Sequence, residues 1–193
     1  MSFFTGTQEE LLFSQPAPVT KNTWTTIAAY TGVVGTNPVP AIPAGWAMNE
    51  GVNPIGRALR VKALGTIQNT AAATFANAIN VNPTPGTSTG NIPINAAFTP
   101  TAAVTAGWIL EAWFTITAFA TSTFTLQANG TITYMTVASG GVVSTATNQQ
   151  IFSGTFAGLD PRVAQYVELF GTWSASSASN QTVVQQLLLE GLN

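Results

Sequence analysis

The segment Trp108-Ile-Leu-Glu-Ala-Trp-Phe-Thr-Ile-Thr-Ala-Phe119 carries the strongest strand pattern in the chain. Bulky apolar side chains recur on one face of this segment, namely Trp108, Leu110, Phe114 and Ile116. Such alternation predicts a strand with one buried face. The opposite face, which includes Ile109, Trp113 and Phe119, is only half polar. We therefore expect that face either to be covered within a sandwich or to meet another subunit.

Further strand patterns lie on both sides of this segment. Residues 57–68 alternate with Leu64 as the one exception, and the same pattern is weaker at 74–81. Other candidate strands are residues 23–30, 151–156, 164–173 and 182–190. About eight or nine strands with long loops and almost no helix predict two packed sheets. The expected fold is an all-β, antiparallel β-sandwich, with jelly-roll topology preferred over an immunoglobulin-like or other sandwich.

Residues 124–134 alternate on both sides of the pair Asn129-Gly130. An Asn-Gly pair supplies the two positive φ angles of a type I′ turn. The pattern therefore predicts a β-hairpin with its turn at Asn129 and Gly130.

The N-terminal residues 1–19 form a predicted arm that precedes a sandwich domain over residues 20–193. Residues 9–13 have the pattern of a single helical turn, and the two prolines that follow favour extended chain. Such an apolar segment can pack on its own domain or on a neighbouring protein, and both alternatives stay open. Its candidate interface residues, which join Ile109, Trp113 and Phe119, are Phe3, Phe4, Leu11, Leu12 and Phe13.

Composition restricts the class of protein and its partners. Charged residues make up 6% of the 193 residues and hydrophobic residues 46%, which excludes a disordered chain. Five basic side chains are too few to neutralise many phosphates, so we expect no nucleic-acid partner. No apolar run reaches the roughly 18 residues of a membrane span, and the acidic N-terminal region does not resemble a signal peptide. We therefore expect no membrane partner.

The chain contains neither histidine nor cysteine. Disulfides, thiolate chemistry, Ser-His-Asp arrangements and nearly all zinc sites are therefore excluded. The main candidate carboxylates, Glu50, Glu111, Asp160 and Glu168, are scattered, and we interpret Glu111 and Glu168 as solvated residues of strand faces. The sequence predicts no enzymatic activity, no catalytic or metal-binding residue and no cofactor.

Tryptophans and basic residues are the remaining candidates for a binding site. Four of the five tryptophans lie in predicted strands, where they are expected to fill a core or an interface. Trp46 lies in the long connection 31–55 and is the candidate ligand contact. The cluster of Arg57, Arg60 and Lys62 is interpreted as a solvated strand face.

A histidine-free, cysteine-free β-sandwich rich in threonine, alanine and asparagine resembles the structural proteins of tailed-bacteriophage virions. Residues 56–68, 108–118, 166–173 and 184–189 are similar to jelly-roll proteins that decorate phage heads. The resemblance implies a capsid decoration, or cement, protein that stabilises the capsid. It also implies a homotrimer that contacts the major capsid protein on the head surface, after assembly in the host cytoplasm. The alternative is a carbohydrate- or receptor-binding module of a phage tail or fibre.

Overall fold

The computed structural model describes residues 9–22, 24–30, 38–48, 54–69, 73–100, 104–137 and 143–192. Within these residues there is no α-helix, and a single 3-10 turn spans Trp46–Met48. The strands are Glu9–Ser14 (β1), Val19–Asn22 (β2), Ala28–Ala29 (β3), Ala41–Ile42 (β4), Ala58–Asn69 (β5), Phe75–Asn82 (β6), Ile92–Pro93 (β7), Val104–Ala120 (β8), Thr123–Val137 (β9), Val143–Leu159 (β10), Gln165–Trp173 (β11) and Gln181–Leu192 (β12). The predicted all-β class is confirmed.

The strands form two antiparallel sheets packed against each other. The seven-stranded sheet has the order β1-β12-β5-β8-β9-β10, with β2 also paired to β12. The five-stranded sheet has the order β3-β11-β6-β7, with β4 also paired to β11. The predicted antiparallel β-sandwich is confirmed. The pairs β5·β12 and β6·β11 are nested in the chain, whereas β8, β9 and β10 form a meander. The jelly-roll topology stays a prediction.

Alternating apolar residues build the core between the sheets. On β8, all four apolar residues of the predicted inner face are buried, namely Trp108, Leu110, Phe114 and Ile116. On β5 the inner residues are likewise buried, while Leu64 points outward and is exposed. Each fully buried side chain of this size contributes about 1.5–3 kcal/mol through the hydrophobic effect. The buried faces of these strands agree with the predicted alternation.

The predicted hairpin at Asn129 and Gly130 is wrong. Residues 124–134 belong to one continuous strand, β9, and the chain reverses instead at residues 121–122, between β8 and β9. Gly130 pairs with Ala112 on one side and with Phe152 on the other. A Cβ atom at Gly130 would lie 2.5 Å from the carbonyl oxygen of Glu111 and 2.6 Å from the Phe152 ring. The glycine therefore permits close packing rather than a turn.

The N-terminal segment adds two strands to the seven-stranded sheet. The helical turn expected at residues 9–13 is wrong, because these residues form β1 and pair with β12. An open sheet edge offers unpaired N–H and C=O groups, and β1 and β2 satisfy them along β12. Leu12 and Phe13 pack against the core. Phe3 and Phe4 lie outside the described residues.

Candidate functional site

The outer face of the seven-stranded sheet is the largest assembly of candidate residues. Residues paired in register share a face of the sheet, so three rows can be followed from β12 to β10. The rows are Glu190-Arg60-Trp113-Asn129-Ser153, Leu188-Lys62-Glu111-Thr131-Ile151 and Gln186-Leu64-Ile109-Thr133-Gln149. These three rows are called the outer face below.

Apolar side chains are exposed along the outer face. Ile151 is 82% exposed, Ile109 46% and Trp113 40%. A groove of about 240 Å³ lies beside Leu64, Ile109 and Leu188. Exposed apolar side chains grouped on one sheet face are typical of sites of protein interaction.

The charges on the outer face balance one another. The Arg60 Nε donates to Glu190 Oε2 at 2.6 Å, and the guanidinium lies 5.4 Å from the centre of the Trp113 ring. Lys62 stands opposite Glu111 in the register of β5 and β8. Two basic and two acidic side chains therefore leave this face without net charge.

The structure brings only part of the predicted interface set together. Ile109 and Trp113 lie on the outer face, and Leu11, opposite Glu190, extends its first row. Phe119 does not share this face, because the register shifts between Ile116 and Ala118. Its ring packs against the core instead.

Three further apolar members of the outer face were missed from the sequence, namely Leu64, Leu188 and Ile151. Leu64 did carry a signal, because it was the one residue to interrupt the alternation of its strand. Leu188 and Ile151 join the face only through pairing with strands that are distant in sequence.

Trp46 lies in the 3-10 turn and is only 8% exposed. The Arg57 guanidinium lies 4.6 Å from the centre of the Trp46 ring, and Arg57 Nη1 donates to the Trp46 carbonyl oxygen. Desolvation lowers the pKa of Arg57, while the charge of Glu10 acts in the opposite direction. An open cavity of about 360 Å³ is lined by Glu10, Trp46 and Arg57. Arg57 therefore covers one face of the Trp46 ring.

The candidate carboxylates are separated by the fold. Glu111 lies on β8 in one sheet and Glu168 on β11 in the other. Glu168 is buried, so its interpretation as a solvated strand residue is wrong; a loop covers this side of β11. Asp160 accepts two side-chain hydrogen bonds from Arg162, which lower its pKa to about 2. Glu50 lies outside the described residues.

In the part of the chain that the structure describes, no three His, Cys, Asp or Glu residues gather as a metal site would require. Nor do the described ranges contain a helix of the length and apolarity needed to cross a membrane. Comparisons with protein-family models, with curated proteins and with solved structures found no match.

Proposed function

We propose that the protein is a structural component of a tailed-phage particle, which decorates the outside of the head and stabilises it without catalysis. The outer face of the seven-stranded sheet carries this proposal. It exposes Ile109, Trp113 and Ile151 on a rigid, strand-built surface. Because the whole chain has few charged residues, salt has little effect on its contacts. A particle that meets changing salt concentrations requires such contacts.

The occupant of the outer face is a second copy of this chain, in a homotrimer. Two basic and two acidic residues on the face allow copies to approach without net repulsion. In a cyclic trimer, the outer face of each copy meets a different surface of the next copy. The trimer as a whole binds the major capsid protein.

Light scattering tests the oligomer. The wild type is expected to be a trimer, and Trp113→Glu should give monomers or aggregates because it places a charge within the apolar contact. Ala175→Glu, a change in an exposed loop, is the matched control and should leave the trimer intact. A monomeric wild type would contradict the proposal.

Mass spectrometry of purified particles tests the location. A copy number comparable to that of the capsid subunits is expected for decoration of the head. A handful of copies would instead indicate the tail, and absence from particles would refute a virion role.

The cavity beside Trp46 favours a second candidate, a carbohydrate- or receptor-binding module of a tail or fibre. The Glu10 carboxylate and the Arg57 guanidinium line this cavity and can form hydrogen bonds with the hydroxyl groups of a sugar, while Trp46 holds Arg57 in place. A saturable glycan-array signal that Trp46→Ala abolishes and Trp113→Ala retains would support this module. For a decoration protein we expect no such signal.

A further inference from the structure

A group of polar residues lies on the outer side of the five-stranded sheet. The inference drawn from it does not depend on the proposed function. Glu168 on β11 stands opposite Asn80 on β6. Ile79 pairs with Ile92, so Asn91 continues the same row beyond Asn80. Glu168 is 2% exposed and Asn80 1%. Paired residues have Cβ atoms about 4.5–5.5 Å apart, so these three polar side chains form one row, in which Asn91 is partly buried.

The loop 83–90 covers this row and directs backbone groups toward it. The Gly86 N–H donates to Glu168 Oε2 at 2.7 Å. The Asn80 side-chain amide donates to the carbonyl oxygens of Thr87 and Thr89. The loop therefore brings two of its own carbonyl oxygens close to one carboxylate and two side-chain amide groups.

Polar atoms in the row lack hydrogen-bond partners. These atoms are Asn80 Oδ1 and both Oδ1 and Nδ2 of Asn91. A buried amide group without a partner costs about 1–3 kcal/mol, so the two acceptor oxygens, Asn80 Oδ1 and Asn91 Oδ1, call for a bound group that they can contact.

The charge of Glu168 is also without a countercharge. Burial raises the pKa of its carboxyl group, and the Gly86 N–H is the group that lowers it. The basic residues lie elsewhere: Lys21, Arg57, Arg60 and Lys62 belong to or flank strands of the other sheet, and Arg162 binds Asp160. A buried carboxylate is costly unless a cation or several donors surround it.

We propose that the Glu168 carboxylate, Asn80 Oδ1 and Asn91 Oδ1 bind a Ca²⁺ ion. Asn80 Nδ2 keeps its hydrogen bonds to the carbonyl oxygens of Thr87 and Thr89, so Oδ1 is the atom of this side chain that is available to the ion. Hard cations take carboxylate, amide and backbone oxygens, and Ca²⁺ accepts irregular geometries that Mg²⁺ does not.

An open cavity borders the row at Asn80. A space of about 310 Å³ is lined by Asn80, Thr89, Thr155 and Asp160 among others. Because the site has a single carboxylate, we expect a Kd on the order of 10⁻⁴–10⁻³ M, as for weakly charged calcium sites.

Calorimetric titration of the full chain with CaCl₂ and with MgCl₂ tests the proposal. We expect saturable Ca²⁺ binding, Mg²⁺ binding at least about tenfold weaker, and a Tm that rises with Ca²⁺. Glu168→Gln keeps the side-chain volume but removes the charge, and it should raise the Kd for Ca²⁺ at least about tenfold. Glu10→Gln removes an exposed carboxylate as the matched control and should leave the Kd unchanged.

A gain-of-function variant keeps the test informative if Glu168→Gln does not fold. Asn91→Asp adds a second carboxylate to the row without breaking a hydrogen bond, and it should lower the Kd for Ca²⁺ about tenfold. A role confined to packing would give no such gain. Absence of Ca²⁺ binding to the wild type, or equal affinity of the wild type and both site variants, would overturn the proposal.

Discussion

At Gly130 the backbone of β9 passes so close to its neighbours that a side chain has no room. The nearest atoms to an added Cβ are the Glu111 carbonyl oxygen and the Phe152 ring. The φ angle of Gly130 lies outside the left-handed region, unlike that of Gly158. The close packing of three strands therefore requires a glycine at position 130.

Gly130→Val is expected to lower the free energy of unfolding by about 1–3 kcal/mol, because the added side chain overpacks the site. Asn129→Ala should change stability by less than about 0.5 kcal/mol, since Asn129 is an exposed strand residue. Urea unfolding measures both. A large loss from Asn129→Ala would instead favour a turn at this pair.

Asp160 and Arg162 form a local pair at the surface. The two hydrogen bonds and the charge of Arg162 hold the pKa of the Asp160 carboxyl at about 2. Arg162→Ala should raise this pKa part of the way toward about 3.9, the ordinary value for aspartate, because the backbone N–H of residue 162 still donates to the Asp160 carboxylate. A carboxyl-detected NMR titration measures the change, and an unaltered midpoint would contradict the assignment.

Among the elements, β12 connects the N-terminal strands to the rest of the sheet. It pairs with β5 along one edge and with β1 and β2 along the other. Within β1 a register shift separates Leu11 from Phe13. Adjacent strand residues point to opposite faces, so Leu11 points to solvent and Leu12 to the core. The register shift allows Phe13 to pack against the core as well.

The neighbouring leucines of β1 provide a matched comparison. Leu12→Ala should cost about 1–3 kcal/mol, because it removes apolar contacts with the core. Leu11→Ala should cost less than about 0.5 kcal/mol. Thermal or urea unfolding of the two variants checks this difference. Equal costs would mean that β1 does not pack on its own sandwich in solution.

At the scale of the whole molecule, a polar network links the two sheets through the core. The Tyr30 hydroxyl donates to Asn77 Oδ1 at 2.6 Å, and Asn77 Nδ2 donates to the Tyr134 hydroxyl oxygen. Tyr134 in turn donates to Asn95 Oδ1 at 3.1 Å. Asn77 belongs to the five-stranded sheet and Tyr134 to the seven-stranded sheet, so the network connects the two layers.

Burial raises the pKa of both Tyr30 and Tyr134. Above about pH 10 these side chains ionise in the unfolded chain but stay protonated in the folded one. The unfolded state then binds fewer protons, so stability falls as pH rises, by up to about 1.4 kcal/mol per pH unit for each tyrosine. Denaturant unfolding at increasing pH measures the slope.

Tyr134→Phe is the control for this pH dependence. It removes one ionising group and should reduce the loss of stability above about pH 10 by roughly half. An unchanged slope would show that other groups control alkaline unfolding.

Local sequence patterns were sufficient to predict the fold class and the orientation of the long strands. Alternation with period two reports which face of a strand is apolar, and this property depends only on local residues. It placed the inner residues of β5 and β8 correctly and put Ile109 and Trp113 on the opposite face.

The positions and contacts of Gly130, Phe119 and Glu168 could be read only from the tertiary structure. Each depends on a strand or loop distant in sequence, or on a register shift that pairing imposes. The pair Asn129-Gly130 has a local preference for a turn, but the pairing of β9 with strands on both sides requires an extended chain there. Glu168 resembles a surface residue until the loop 83–90 covers it. Local patterns report the polarity of a face, whereas burial and close approach depend on which distant segment packs upon it.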